Sequence, residues 1–298
     1  MAATAEAIVG TPPRERRAFL GFALRLVREK PLGAIGAAIF VLFLVCGAFA
    51  GWLAPYGMNE INPVNRMKAP SLAFPLGTDY LGRDQLSRIL YGAQLSVIIG
   101  FCAAGLATAV SIFIGVVSGY AGGRTDMIIQ RFVDAWQSFP GLVILIVAVA
   151  VLGPGMPQVI GVLALLFGIA GSRIIRGAVV SVREHTYIHA AQSIGAGTQR
   201  ILWLHVLPNI MPVVIVLFTS RLGATILAEA GLSFLGLGVP PPAPTWGGML
   251  SGSARTYMHQ GPWLALAPGL ALTIVVYAVN VLGDALRDLL DPRMRGSR

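Results

Sequence analysis

Charged side chains are scarce in this chain of 298 residues: they make up 12% of it, whereas soluble domains carry about 25%. Hydrophobic residues account for 55%, and the mean hydropathy is +0.74. Lys, Arg, Asp and Glu are missing from four long runs, at 32–54, 89–123, 135–172 and 259–283. A spanning helix needs about 20 apolar residues, whereas a barrel strand needs about 10 with alternating polarity. The composition therefore predicts an all-α integral membrane protein, a helical bundle.

Lysine is nearly absent, which excludes one way of binding ATP. The phosphate-binding loop of many ATPases requires Gly-Lys followed by Ser or Thr. The only lysines of this chain are Lys30 and Lys68, and neither follows a glycine. If ATP drives the function of this chain, we expect other subunits to bind the nucleotide.

Motifs of intramembrane hydrolases are incomplete. His185 and His189 have the spacing of the zinc-protease motif His-Glu-x-x-His, but Thr186 stands where the general base should be. The stretch from Gly231 to Leu235 approaches the Gly-x-Ser-x-Gly nucleophile motif and ends on leucine instead of glycine. We therefore predict neither a catalytic nor a metal site.

Two other compositional features have ordinary explanations. The net charge of +9 could suit a nucleic acid, but no basic patch is interleaved with exposed aromatic residues, and membrane proteins carry their Lys and Arg on the cytoplasmic side. We expect no nucleic-acid partner. Cys46 and Cys102 both lie inside apolar runs, where they are expected to pack rather than to form a disulfide framework.

The apolar runs predict six spans, at 32–54, 95–120, 127–152, 159–179, 208–237 and 264–281. An even number places both termini on the same side. With the termini in the cytoplasm, the outer segments hold few cations, as the positive-inside rule requires; these are Arg66, Lys68, Arg83, Arg88 and Arg255. The predicted division is a cytoplasmic tail at 1–31, a first transmembrane helix at 32–54, an outer segment at 55–91, a five-helix core at 92–283 and a cytoplasmic tail at 284–298. The core includes a cytoplasmic loop at 180–208 and an outer loop at 238–262.

The cytoplasmic loop contains a polar stretch, residues 183–208, which we call the polar segment. Tyr187, Ala191 and Gly195 recur in it at i, i+4 spacing, which predicts a short helix with a face of mostly small residues. Small side chains let another backbone approach closely. We therefore expect the polar segment to dock onto another protein at the membrane surface.

Ionisable residues inside spans are candidates for function by default, and the fifth span holds two, Arg221 and Glu229. They are separated by eight residues, about 12 Å along a helix, which is too far for a direct pair. For Arg221 we consider a polar cavity, a pair with Asp134, and hydrogen bonds to backbone carbonyls of another helix. Our hypothesis is that Arg221 faces the translocation path.

The outer segment carries two short related motifs, at 76–79 and 81–84. Thr78 or Asp79 is expected to cap a short helix, and Asp84 is expected to pair with Arg88 at i, i+4 spacing. The motif residues singled out here are Gly77, Thr78, Asp79, Gly82, Arg83 and Asp84.

The polar segment resembles the cytoplasmic "EAA" loop of permease subunits in bacterial binding-protein-dependent ABC importers. The matching positions are Ala190, Ala191, Gly195, Leu207 and Pro208. His189 replaces the glutamate of that motif, and His205 replaces its isoleucine, as is common in the peptide branch. The outer motifs, residues 233–238, the proline-rich turn that ends at Trp246-Gly247, and positions within 280–293 are also similar to this family. The chain looks most like the C-type permease of the dipeptide, oligopeptide and nickel group.

This resemblance implies the type I ABC importer permease fold in the bacterial inner membrane, with the outer segment in the periplasm. It implies a second, similar permease subunit, two cytoplasmic ATPase subunits that use ATP and Mg, and an extracytoplasmic binding protein that delivers the solute. This chain itself would bind no cofactor. The residues implied in ATPase coupling are Tyr187, Ala190, Ala191, Gly195, Ala196, Leu207 and Pro208.

The resemblance makes di- and oligopeptides the expected solutes, and nickel complexes, glutathione and other small solutes remain alternatives. A proton-coupled secondary transporter is a more distant alternative, because it ordinarily needs buried carboxylates near the membrane midplane. Only Glu229 is a candidate for that role.

Overall fold

A computed structural model describes residues 15–290, which are almost entirely helical. Residues 1–14 and 291–298, which belong to the two predicted cytoplasmic tails, lie outside the described residues. So do positions 291–293 of the C-terminal stretch that resembles the permease family. The helices are Glu15–Glu29 (α1), Pro31–Ala48 (α2), Ala50–Leu53 (α3), Gln85–Ala121 (α4), Gly123–Gln137 (α5), Gly141–Leu152 (α6), Met156–Arg183 (α7), Thr186–Ser193 (α8), Thr198–Ile201 (α9), Leu207–Phe234 (α10), Trp246–Met249 (α11), Arg255–Tyr257 (α12) and Trp263–Leu290 (α13). One turn of 3₁₀-helix lies at Pro63–Asn65, and π-helical turns lie at Leu202–Val206 and Leu250–Ala254.

Five helices are long and apolar enough to cross a membrane: α2, α4, α7, the run Thr198–Phe234, and α13. A sixth crossing is formed if α5 and α6 count as one broken span, because these two helices meet at 86°. The helical-bundle prediction is confirmed, but the third span is not the single helix expected over 127–152. Pro140 has no N–H to donate, and it disfavours helical backbone at Phe139 before it, so the helix ends and restarts here.

Two spans extend further than their hydropathy indicated. Helix α4 begins at Gln85, ten residues before the predicted start at Leu95, and α13 continues to Leu290 rather than ending near Val281. The added turns carry charged residues such as Arg88 and Arg287. Charge marks where a helix leaves the apolar layer, and a helix does not have to end there.

Close helix packing depends on small residues, as expected where the hydrophobic effect between helices is weak. Helices α4 and α7 pack along their length. A Cβ on Gly115 would lie 2.7 Å from the carbonyl oxygen of Ser172, and a Cβ on Gly168 would lie 3.0 Å from that of Ala107. Helix α2 crosses α13 in the same way, because a Cβ on Gly36 would lie 2.5 Å from the Ala278 carbonyl oxygen.

The bundle has two distinct ends. One end, which we call the tail end, carries the end of α13, where Asp288 pairs with Lys30 across 2.5 Å, and the end of α7, where Arg183 donates to the carbonyl of Gly119. The polar segment lies at this tail end, between α7 and α10. The other end, the loop end, carries the segments between α3 and α4 and between α10 and α13.

Candidate functional site

The polar segment is held to the bundle by buried aliphatic side chains. Ile188 of α8 and Ile201 of α9 are fully buried and belong to one core cluster with Val206 and Ile210. Ala191, on the same side of α8 as Ile188, is half-buried against this cluster. Of the three residues predicted to share the docking face, Ala191 therefore faces the bundle, whereas Tyr187 and Gly195 are exposed. The segment is a well-anchored part of the fold.

Gly195 ends α8 in a backbone conformation that favours glycine. Its φ is +81°, the amide of Ala196 donates to the carbonyl of Ala191 at 3.0 Å, and the amide of Gly195 donates to that of Gln192 at 2.9 Å. These two bonds form a Schellman motif. No atom lies within 4 Å of the position that a Cβ on Gly195 would occupy. Within this chain, the glycine is required by the turn and not by a close neighbour.

The polar segment exposes three apolar side chains that sequence reasoning missed. Ile194 is 86% exposed and Trp203 is 70% exposed, with Leu204 beside it, and the predicted Tyr187 is exposed near the start of α8. Ile194 stands alone between Ser193 and Gly195, which was the available signal, whereas Trp203 and Leu204 belong to an apolar run. Ala190 is also exposed. This outward surface is suited to burial against a partner.

The junction from the polar segment into the fifth span is a π-helical turn at Leu202–Val206. Pro208 follows it at the start of α10, and its missing N–H removes one i→i−4 hydrogen bond. The side chain of Asn209 donates to the carbonyl of His205 at 2.6 Å. Leu207 is half-buried on the same core cluster as Ile188, whereas Pro208 is exposed. The polar segment thus continues directly into α10.

Arg221 lines a cavity of about 660 Å³ between α7, α10 and α13. Its guanidinium lies 5.3 Å from the ring centroid of Phe167. The pair with Asp134 that we considered is wrong, because Asp134 pairs with Arg173 and Arg131 instead. That carboxylate lies on α5, whose bend at Pro140 was not foreseen.

Glu229, the other ionisable residue of the fifth span, is fully buried within the chain. Its Oε1 accepts a hydrogen bond from the hydroxyl of Ser233 at 2.7 Å, and the hydroxyl of Thr245 donates to Ser233 at 3.2 Å. The adjacent amide of Trp246 donates to the hydroxyl of Ser96 on α4 at 3.3 Å. This network ties the segment between α10 and α13 into the bundle.

The indole of Trp246 reinforces this attachment. It is fully buried, its Nε1 donates to the carbonyl of Ile89 at 3.2 Å, and its ring meets that of Phe43 edge-on at 5.6 Å. A Cβ on Gly247 would lie 2.4 Å from the carbonyl oxygen of Ala230. Part of the predicted outer loop therefore folds back between the helices.

The motif residues of the outer segment form a compact hydrogen-bonded cap on α4. Asp84, rather than Thr78 or Asp79, caps a helix, by accepting from the amide and hydroxyl of Ser87 at 2.7 Å each. That helix is the long α4, not a short separate one. Asp79 pairs with Arg83 at 2.7 Å. The expected pair of Asp84 with Arg88 is wrong.

The remaining motif residues complete this cap. The guanidinium of Arg88 donates to the carbonyl of Met58 at 3.2 Å. Thr78 accepts from the amide of Lys68 at 2.8 Å, and its carbonyl accepts from the Trp263 indole at 3.1 Å. Gly77 and Gly82 have φ values of +73° and +77°, which explains why glycine stands at both turns.

Two family models match the chain. Residues 111–296 match the binding-protein-dependent transport system inner membrane component, and residues 19–70 match the N-terminal TM domain of oligopeptide transport permease C. The first family model thus covers the end of α4 and all later helices, and the second covers the first span.

Curated relatives match over most of their length. The di/tripeptide transport system permease protein DppC of Pseudomonas aeruginosa is 39% identical over 272 residues, 89% of each chain. The dipeptide permease DppC of Alkalihalophilus pseudofirmus is 38% identical over 92% of this chain and 90% of its own. The glutathione transport system permease protein GsiD of Escherichia coli is 43% identical over 88% of this chain and 87% of its own.

A solved structure shares the fold. One chain of the MetNI methionine ABC transporter superposes with a TM-score of 0.56 at 16% identity, over 68% of this chain and 96% of that one. The fold class, type I ABC importer permease, agrees with this likeness. By its family matches and its relatives, the chain belongs to the family of inner membrane components of binding-protein-dependent transport systems.

Proposed function

We propose that this chain forms half of the translocation pathway of an ATP-driven importer of di- or oligopeptides. A second, similar permease subunit supplies the other half, and an extracytoplasmic binding protein delivers the solute. Two cytoplasmic ATPase subunits bind ATP and Mg and hydrolyse the nucleotide, because this chain has no phosphate-binding loop. The chain is then a transport subunit and not itself an enzyme.

The observation that carries this proposal is the construction of the polar segment. Its inward side chains, including Ile188 and Ile201, are buried in the bundle core, while its outward surface exposes Ile194, Tyr187 and Ala190. Its last turn continues into α10 without a loop. An ATPase subunit that moves this segment would therefore move α10 with it as a rigid body.

The coupling residues take two roles in this proposal. Tyr187, Ala190 and Gly195 lie on the exposed side, where they can contact an ATPase subunit. Ala191, Ala196 and Leu207 pack against the bundle and hold the segment in place, and Pro208 begins the α10 helix. Ile194 joins the contact set, because it is the most exposed apolar side chain of the segment.

The orientation in the membrane follows from the same assignment. Docking onto a cytoplasmic ATPase places the polar segment, and with it the tail end of the bundle, in the cytoplasm. Both termini then lie in the cytoplasm of a bacterial cell whose inner membrane the chain crosses. The positive-inside bias of the sequence supports this orientation.

Glutathione is the alternative solute, because the GsiD relatives are as similar to this chain as the dipeptide permeases are. Mass spectrometry of the solute that copurifies with the binding protein of the assembled transporter would separate the two. A proton-coupled mechanism would rest on Glu229, whose Oε1 is already engaged by Ser233 in a network with a structural role.

Site-specific photocrosslinking tests the docking assignment. A photoreactive residue in place of Ile194 is expected to crosslink to an ATPase subunit, whereas the same residue in place of Ile35, an exposed residue of α2, is expected not to do so. Crosslinks from position 194 only to lipid or to a second copy of this chain would contradict the proposal.

A further inference from the structure

The cavity beside Arg221 has the composition of a binding site for a small anionic molecule. Its walls are mostly apolar, with Val213, Val216 and Leu217 of α10 among them, and its polar groups are Ser220, Arg221 and Arg287. Among residues 15–290, neither Asp nor Glu lines the cavity. Its volume of about 660 Å³ lies within the range of about 300–1,000 Å³ that is typical of small-molecule sites.

Within residues 15–290, the two guanidinium groups of this cavity have no anionic partner. Two arginines of α7 are paired, Arg173 with Asp134 and Arg176 with Asp126. Among residues 15–290, Arg221 has a ring contact with Phe167 and no ion pair, and Arg287 has no ion pair either. The neighbouring acid Asp288 is engaged by Lys30.

Burying an unpaired arginine inside a membrane span costs free energy, and such residues mark solute or ion pathways by default. Arg221 is fourteen residues into α10, about 21 Å from the start of that helix at Leu207 and halfway along its 28 residues. Arg287 lies in the last turn of α13, at the tail end. The cavity therefore extends from the middle of the bundle toward the tail end, with a cation at each level.

We propose that this cavity binds the carboxylate of the transported solute, with Arg221 as its principal contact and Arg287 as a second cation closer to the cytoplasm. A guanidinium binds a carboxylate with two parallel hydrogen bonds, and the apolar walls accommodate side chains of a short peptide. Both dipeptides and glutathione carry such a carboxylate. This inference rests on the proposed function and names the chemical group that the pathway recognises.

The test measures binding to the assembled transporter in lipid nanodiscs, without nucleotide and without the binding protein. The probes are radiolabelled alanylalanine, its C-terminal amide, and glutathione. The variants are Arg221→Gln and Arg287→Gln. The control is Arg131→Gln, which removes an exposed arginine outside the cavity.

In the unaltered complex, we expect alanylalanine, glutathione or both to bind. If alanylalanine binds, it should bind at least tenfold more tightly than its C-terminal amide. Arg221→Gln should weaken binding of that acid at least tenfold and leave binding of the amide unchanged, and Arg287→Gln should have a smaller effect of the same kind. The control variant should bind as the unaltered complex does. Nanodiscs of phosphatidylcholine and of phosphatidylglycerol should give the same results.

Three outcomes would overturn the inference. An equal loss for acid and amide in Arg221→Gln would mean that the arginine does not bind the carboxylate of the solute. An effect confined to phosphatidylglycerol would assign the cavity to a lipid headgroup. Absence of binding of both free acids to the unaltered complex would exclude the cavity as a solute site. If that complex still imports solute with ATP, the proposed function stands in all three cases.

Discussion

The amide of Ala196 donates to the carbonyl of Ala191 across the end of α8, 3.0 Å away, and Gly195 between them has a φ of +81°. This relationship assigns a physical role to the glycine of the polar segment. The sequence predicts that Gly195 belongs to a docking face of mostly small residues. The structure shows that the glycine also ends the helix.

Substitutions at Gly195 distinguish these two roles. An L-residue in the left-handed region costs about 1–2 kcal/mol, and Asn tolerates this region best. We expect Gly195→Val to reduce solute uptake several-fold while ATP hydrolysis by the assembled transporter persists, and Gly195→Asn to retain most of the uptake. Uptake and hydrolysis are measured together in proteoliposomes. Equal losses for Val and Asn would show that the partner requires a bare backbone at this position.

Trp246 is expected to be essential for folding. Its indole is fully buried and bonded to the Ile89 carbonyl, so Trp246→Ala should destabilise the protein by about 3–5 kcal/mol. Trp246→Phe should cost about 1 kcal/mol through the lost hydrogen bond. Thermal inactivation in detergent measures both. Trp52→Ala is the control, because Trp52 is 87% exposed. An equal loss of stability in Trp52→Ala and Trp246→Ala would contradict the difference in burial between these two tryptophans.

Glu229 is expected to act through its hydrogen bonds rather than through its charge. Glu229→Gln retains the shape and an acceptor for Ser233, so its inactivation temperature should lie within about 2 °C of that of the unaltered protein. Glu229→Ala leaves the buried hydroxyl of Ser233 without its acceptor, at about 1–3 kcal/mol, and should lower that temperature by about 5 °C. Unimpaired uptake by Glu229→Gln would agree with a structural role, whereas its abolition would favour a proton-carrying one.

Two glycines of α7 offer a matched comparison. A Cβ on Gly168 would lie 2.7 Å from Cβ of Val110, whereas no atom lies within 4 Å of a Cβ on Gly161. Gly168→Leu should force α4 and α7 apart and abolish accumulation of folded protein, whereas Gly161→Leu should accumulate normally. Size-exclusion chromatography of a fluorescent fusion measures both. Similar behaviour of the two variants would contradict the α4–α7 packing.

The membrane class and the number of apolar runs could be predicted because lipid dictates apolar composition over a fixed length. Helix ends could not be predicted from the same signal. Gln85 and Leu290 lie beyond charged residues that hydropathy takes as boundaries, yet the helices reach them. The break at Pro140 was visible as a proline, but the local sequence does not specify its angle of 86°.

The candidate site, like the fold, could be predicted from the sequence only in part. The positions Ala190, Ala191 and Gly195 could be found by resemblance, but which of them face outward depends on tertiary packing. Ile188 turns α8 so that Ala191 is covered and Ile194 is exposed. Phe167, which contacts Arg221, lies on another helix, and spacing along α10 gives no information about it. Ser233, the partner of Glu229, lies at i+4 on α10 itself.

The central claim is that solute movement through this chain is driven by ATP hydrolysed on partner subunits. Proteoliposomes with the complete transporter and its binding protein test it directly, by uptake of the identified solute with ATP supplied on the ATPase side. The account predicts uptake that requires ATP and continues when a protonophore collapses the proton gradient. Uptake that proceeds without ATP and stops with the protonophore would contradict it.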